Sequence, residues 1–247
     1  MFSRVLLETV GEFLYPSNIY CISCGNLIDK TRPYSLCDRC LKTFHWATKK
    51  TCIRCGKILR MGYEQDICPD CITVNHKFQR GYCCVEYGDD ERAMIHRFKY
   101  REEAYLGKKM AEAMYDRIQP EDLPVDLIVP VPMYKRKQKI RGYNQAEILG
   151  KNLAKFMEKP YNERALVRIR ETEPMSTLGA EERVKNVRHA FRVDSKPGRT
   201  QEKDIAGKVI LLVDDIYTTG STMDSCAEAL LKAGAQGVFA YAFAAGK

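Results

Sequence analysis

Apolar positions along this chain fall into short runs and helical repeats separated by turn residues, and they predict its elements in order. Phe2, Val5, Leu6, Val10, Phe13 and Leu14 recur at helical spacing until Pro16, which predicts a short amphipathic helix. Its polar face carries acids rather than a basic stripe, so docking on the protein's own core is the expected use, with a membrane surface as the alternative. After a polar, cysteine-rich segment, Phe78 to Tyr87 alternates loosely with aromatics and predicts a strand, and Gly88-Asp89-Asp90 a turn. Ala93, Met94, Arg97 and Phe98 mark a helix from Glu91. Leu106, Met110, Ala113 and Met114 share one face of another, from Tyr105 to Tyr115. Asp126 to Pro132 reads as a short buried strand ended by prolines, which cannot continue a ladder. A helix then opens at Gly142-Tyr143-Asn144-Gln145 and runs to about Phe156. Thr172 to Val187 has few periodic apolars and reads as a mobile loop with a helix at its end, and Ser195 to Gly207 as a polar link.

The clearest pattern comes last. Val209 to Val213 is an unbroken apolar run rich in β-branched residues, as in a strand covered on both faces of a parallel sheet. Beyond it, Met223, Cys226, Ala227, Leu230 and Ala233 recur at helical spacing, and Gly234 supplies a stop. Gly237 to Ala244 is a final strand. The loop between strand and helix therefore sits at a strand's carboxyl end, where open parallel sheets bind ligands.

That loop is chemically specific. Asp214 and Asp215 are followed by Thr218-Thr219-Gly220-Ser221-Thr222, a string of hydroxyls around a glycine. A helix N-terminus offers free N–H groups and partial positive charge to an anion. Gly220 lets the backbone approach the ligand, while Thr218, Thr219, Ser221 and Thr222 add donors. No G-x-x-x-x-G-K-[ST] is present, so this is not a P-loop. Carboxylates do not bind phosphate, but they accept hydrogen bonds from paired hydroxyls. A phosphate beside a diol describes a ribose 5-phosphate.

The cysteine-rich segment is a repeat. Cys21-Ile-Ser-Cys24-Gly25 leads to Cys37-Asp-Arg-Cys40, and Cys52-Ile-Arg-Cys55-Gly56 to Cys68-Pro-Asp-Cys71, each half reading C-x2-C-x12-C-x2-C. A C-x2-C turn puts two thiolates on one side of a knuckle, and two knuckles complete a tetrahedron around zinc. The expected sites are sequential: Cys21, Cys24, Cys37 and Cys40, then Cys52, Cys55, Cys68 and Cys71. Interleaved knuckles, first with third and second with fourth, are the alternative, and redox use of one C-x2-C a weaker one. Such four-cysteine sites are closed, so the two zinc ions would be structural. Cys83, Cys84 and Cys226 fall outside the pattern and are expected in the core.

Composition adds bounds. The 247 residues suffice for a small and a mid-sized domain, expected at 1–75 and 76–247. A net charge of +8 hints at a polyanionic partner, nucleic acid or substrate phosphates. Lys135, Arg136, Lys137, Lys139 and Arg141 concentrate that charge after the proline-ended strand. They could neutralise a pyrophosphate, grip a nucleic-acid backbone, or form a solvated loop. Phe98, Tyr100 and Tyr143 lie near basic residues and could stack on bases. His96 reads equally as helix surface or functional group, and Arg183 and Arg188 as phosphate clamps or surface ion pairs. Glu8 and Glu12 break any leader-like run and no stretch approaches membrane-spanning length, so the expected compartment is the cytoplasm. Peripheral attachment to a membrane through a partner is left open.

Strand, Asp214-Asp215 and the hydroxyl loop together resemble the signature of type I phosphoribosyltransferases. The paired knuckles, Val129-Pro-Val-Pro132, Arg141-Gly142-Tyr143-Asn144-Gln145 and the block from Leu178 through Arg183, Asn186, Ala190 and Phe191 narrow the resemblance to the ComF family of competence proteins. Relatives carry a Thr and a Gln before that leucine; Thr172 is present, but Met175 stands near the Gln position. The resemblance implies a doubly wound parallel α/β sheet behind a small double zinc ribbon. It implies that Thr218 to Thr222 hold the 5-phosphate of phosphoribosyl pyrophosphate, that Asp214 and Asp215 hold its ribose hydroxyls, and that magnesium bridges sugar and pyrophosphate. It further implies work on single-stranded DNA in transformation with a helicase-like ATPase. The alternative is a phosphoribosyltransferase of nucleotide metabolism, in which a nitrogen acceptor displaces pyrophosphate from C1 of the ribose. Catalysis there is mainly positioning and charge stabilisation.

Overall fold

The computed structural model describes residues 19–100, 103–171, 179–187, 189–194 and 204–246. The amphipathic stretch at Phe2 to Leu14, Thr172, Met175, Leu178, Arg188 and most of the link from Ser195 to Gly207 lie outside them. In chain order the elements are α1 (Asp38–Thr43), α2 (Pro69–Thr73), β1 (Arg80–Glu86), α3 (Asp89–Tyr100), α4 (Leu106–Ile118), β2 (Leu127–Pro130), α5 (Lys135–Arg141), α6 (Gln145–Phe156), β3 (Leu166–Arg168), α7 (Ala180–Val187), β4 (Phe191–Val193), β5 (Val209–Tyr217), α8 (Ser221–Lys232) and β6 (Gly237–Ala245).

β5 is central because its apolar run can be buried on both faces. It pairs in parallel with β6 on one side, Val213 opposite Tyr241, and with β2 on the other, Ile128 opposite Leu211. β1 joins β6 in parallel, which gives the order β1-β6-β5-β2. The pleat sends Ile210 and Leu212 into a core with Cys226, Ala227 and Leu230 of α8. It sends Leu211 and Val213 into a second core with Met110 and Met114 of α4 and Leu149 and Leu153 of α6. Helices thus cover both faces of a parallel sheet, the doubly wound arrangement expected.

Three features depart from the sequence reading. β5 does not stop at Val213 but runs through both acids to Tyr217, because β6 continues beside it, Asp214 opposite Ala242 and Tyr217 opposite Ala245. The basic cluster is no loop: Lys135 to Arg141 form a helix, as a run of good helix formers can. β3 and β4 form an antiparallel pair beside α8 that the sequence did not announce, since strands of three residues carry no usable period.

The two cysteine repeats straddle the sheet. The first, with Leu36 and Phe44, packs into the core of α4 and α6; the second, with Leu59, packs into the core of α8. The link between them runs along the outer edge of β1. Ala47 N donates to Cys84 O at 2.9 Å, Glu86 N donates to His45 O at 2.8 Å, and Trp46 bridges Val85. An otherwise open strand edge is thereby covered. Cys83, Cys84 and Cys226 are buried core residues, as expected. Among the described residues, no helix is long and apolar enough to cross a membrane.

Candidate functional site

The carboxyl ends of β2 and β5 open onto a cleft of about 580 Å³, between α3 on one side and α5, β3 and α7 on the other. Asp214 and Asp215 form its floor. Successive side chains of a strand leave on opposite faces, so these neighbours meet different surroundings. Asp215 points to α3, where Lys99 Nζ sits 2.7 Å from its Oδ2. Asp214 lies on the side of Arg168 and Cys226 and accepts a hydrogen bond from Asp215 N at 2.8 Å. Protein encloses its carboxyl, although solvent still reaches the residue through the cleft. Burial, and then the charge on Asp215, push Asp214 up to about 8.

The hydroxyl loop turns the chain from β5 into α8. Gly220 occupies the N-cap position with φ +80° and no side-chain cap, so the first N–H groups of α8 are left for another acceptor. Thr218 and Thr222 line the cleft. Thr219 and Ser221, their hydroxyls 3.1 Å apart, complete the turn that carries them.

Cations dominate the walls. Arg92, Lys99, Lys137, Arg141, Arg168 and Arg183 all line the cleft. Burial, then the nearby Arg168, lower Lys137, and burial lowers Arg168. Like charges held together in a partly dry site favour an anion between them. α5 divides the basic cluster: Lys137 and Arg141, one helical turn apart, face the cleft, while Lys135, Arg136 and Lys139 are exposed outside it. Asn144 sets this wall, capping α6 through Oδ1, which accepts from Ala146 N at 3.1 Å, and donating from Nδ2 to Val131 O at 3.0 Å. Of the three aromatics expected to stack on bases, Phe98 is buried and Tyr143 donates its hydroxyl to Phe98 O. The helical period turns Met94, Ile95 and Phe98 inward. Tyr100 alone stays exposed, with the Arg141 guanidinium 4.9 Å and the His96 ring 4.8 Å from its ring centre.

The cysteines gather as two sequential tetrads, Cys21, Cys24, Cys37 and Cys40, and Cys52, Cys55, Cys68 and Cys71, with the sulfurs of each within 4.8 Å of one another. Cys24 and Cys37 sulfurs are 3.7 Å apart, and those of Cys55 and Cys68 3.6 Å. Zinc–sulfur bonds at tetrahedral angles place sulfurs ~3.8 Å apart, so both tetrads fit zinc, whereas a disulfide needs ~2.05 Å. Hydrogen bonds from Cys55 and Cys71 hold Cys52 well below the usual thiol range, which suits a metal-binding thiolate. Arg97, on the helix that walls the cleft, donates to the carbonyls of Ile22 and Ser23 in the first knuckle at 2.9 and 3.0 Å.

Sequence reasoning singled out the acids, the loop, both tetrads, Arg183 and the two cations of α5 that face the cleft. It did not find Lys99 as the partner of Asp215, although helical spacing from the exposed His96 puts it on the cleft side of α3. It had no signal for Arg168, which depends on the unforeseen β3–β4 pair.

The phosphoribosyl transferase domain family matches residues 141–247, and the double zinc ribbon domain family residues 10–90. Competence protein F of Haemophilus influenzae is 30% identical over 149 residues, which cover 58% of this chain and 62% of that protein. The DNA utilization protein YhgH of Escherichia coli K12 is 29% identical over 167 residues, covering 65% and 70%. Competence protein ComFC of Bacillus subtilis is 27% identical over 151 residues, covering 60% and 56%. Among solved structures, the glutamine phosphoribosylpyrophosphate amidotransferase from B. subtilis, complexed with ADP and GMP, superposes with a TM-score of 0.39 at 16% identity, covering 58% of this chain and 29% of that one. The double zinc ribbon match and the two tetrads support two structural zinc ions.

Proposed function

We propose, from the premise that this chain is a homologue of competence protein F, ComFC and YhgH, that its cleft binds phosphoribosyl pyrophosphate with magnesium and that it serves DNA uptake or use. The observation that carries the reading is the acid pair at the end of β5, set in a cation-walled cleft beside the uncapped turn at Gly220. The 5-phosphate would sit on the turn of Thr218 to Thr222, at the N-terminus of α8. The ribose hydroxyls would donate to Asp214 and Asp215. Lys137, Arg141 and Arg168 would face the pyrophosphate. Magnesium would supply charge neutralisation, and carboxylates such as Asp214 and Asp215 suit it through its bound waters. A cation there also draws Asp214 down from its raised value, leaving it ionised to accept the sugar's hydroxyls.

The outward-facing Lys135, Arg136 and Lys139 suit the backbone of single-stranded DNA, with Tyr100 at the cleft mouth as a surface for one base. A helicase-like ATPase is the partner that would move such a strand. The test is calorimetric titration with phosphoribosyl pyrophosphate and magnesium, then with a DNA oligomer on the same sample. Asp214→Ala with Asp215→Ala should abolish sugar-phosphate binding and leave zinc content unchanged. A double variant that binds as its parent does would end the reading. DNA binding that ignores salt would end the nucleic-acid part of it.

A further inference from the structure

The segment leaving the second tetrad runs beneath the anion-binding turn. His76, five residues after Cys71, has its side chain buried there, the ring stacked on Phe78 with centres 4.5 Å apart. Its two nitrogens face different parts of the molecule. Nδ1 lies 2.8 Å from Oδ2 of Asp224, in the first turn of α8, and the next backbone N–H, that of Lys77, donates to Oδ1 at 2.6 Å. Nε2 lies 3.4 Å from the Cys71 sulfur and 3.1 Å from the Tyr217 hydroxyl. The turn rests on the same ring: a Cβ on Gly220 would come within 2.8 Å of His76 Cε1 and 2.6 Å of the Tyr217 hydroxyl.

A helix carboxylate, an imidazole and a metal-binding sulfur therefore stand in series. Hydrogen-bond partners one shell out from a metal orient its ligands and tune its affinity, and His76, held by Asp224, stands in that position toward Cys71. Here the series ends on the residues that shape a phosphate site. The first tetrad has a different attachment, to α3 through Arg97. We propose that His76 is a positioning residue that ties the second tetrad to the turn at Gly220, so that zinc in that tetrad and a ribose 5-phosphate on the turn strengthen each other's binding. The inference rests on the phosphate-binding reading above and assigns it a physical link to the metal.

The experiment uses the full-length, zinc-loaded protein, with ribose 5-phosphate as the probe. Calorimetry gives its affinity, and a colorimetric chelator follows metal release. Saturating ribose 5-phosphate should tighten one of the two zinc ions, leaving less of it with the chelator at equilibrium, because coupling between two sites is reciprocal in affinity. His76→Phe keeps a ring on Phe78 but has no nitrogen. It should hold both zinc ions, bind ribose 5-phosphate about tenfold more weakly, and lose the protection of the metal. Parent-like affinity with the protection intact would overturn the proposal. His76→Ala takes its place if the phenylalanine variant does not fold. If the parent binds no ribose 5-phosphate, the phosphate reading falls, and amide hydrogen exchange decides the link without a ligand. Amides 218–225 should lose protection when Cys68→Ser opens the second tetrad, and keep it when Cys37→Ser opens the first. Protection unchanged by Cys68→Ser would refute the link.

Discussion

Asp214 and Asp215 show how much one step along a strand changes a carboxyl group. Asp215 has Lys99 at 2.7 Å, whereas Asp214 is enclosed, next to another acid, and pushed up to about 8. A carboxyl raised on folding holds its proton in the folded state over a range where the unfolded chain has lost it. Its stabilising effect is present below the ordinary value of 3.8 and is lost as pH rises toward 8. Asp214→Asn should therefore raise the melting temperature more at about pH 9 than at about pH 5, as read by thermal denaturation at both. Parallel shifts at the two pH values would contradict the assignment. Gly220 is the second residue whose identity is dictated by position. With φ at +80° and Cβ space already filled by Tyr217 and His76, Gly220→Ala should destabilise the fold by about 1–3 kcal/mol in urea unfolding and weaken ribose 5-phosphate binding.

At the scale of elements, α5 matters most, because folding it as a helix gives one basic cluster two destinations. Lys137 and Arg141 face the acids across the cleft; Lys135 and Arg136 do not. Arg136 has Glu171 at 3.7 Å, an exposed pair too weak to neutralise it. Lys135→Ala with Arg136→Ala should lower the salt dependence of single-stranded DNA binding, by about 0.7 in log–log slope for each phosphate left without its cation, and leave sugar-phosphate affinity alone. Lys137→Ala with Arg141→Ala should act first on phosphoribosyl pyrophosphate. Titrations across a salt series separate the two pairs. The same element shows where sequence reading stopped. Charge density around Lys135 was plain, but which lysine faces the cleft depends on the helical period and on the wall α5 rests against.

For the whole molecule, the ribbons share the two cores of the sheet and cover its β1 edge. Metal binding in a segment too polar to form its own core contributes directly to folding. Calorimetry of the zinc-loaded chain should give one cooperative transition. Chelation should move that transition downward as a whole, rather than erase a separate, lower one. Two independent transitions would mean that the ribbons fold apart from the sheet.

The sequence alone determined the parts whose chemistry is local. Two cysteines three positions apart make a knuckle, and an apolar run followed by acids, hydroxyls and a glycine makes a strand, a turn and the start of a helix. Only the tertiary structure decided that Lys99 and Arg168 take opposite sides of the acid pair, and that His76 reaches an aspartate 148 residues away. Those contacts join segments distant in the chain. Their partners are selected by the packing of helices on two faces of one sheet, which no short-range pattern of residues encodes.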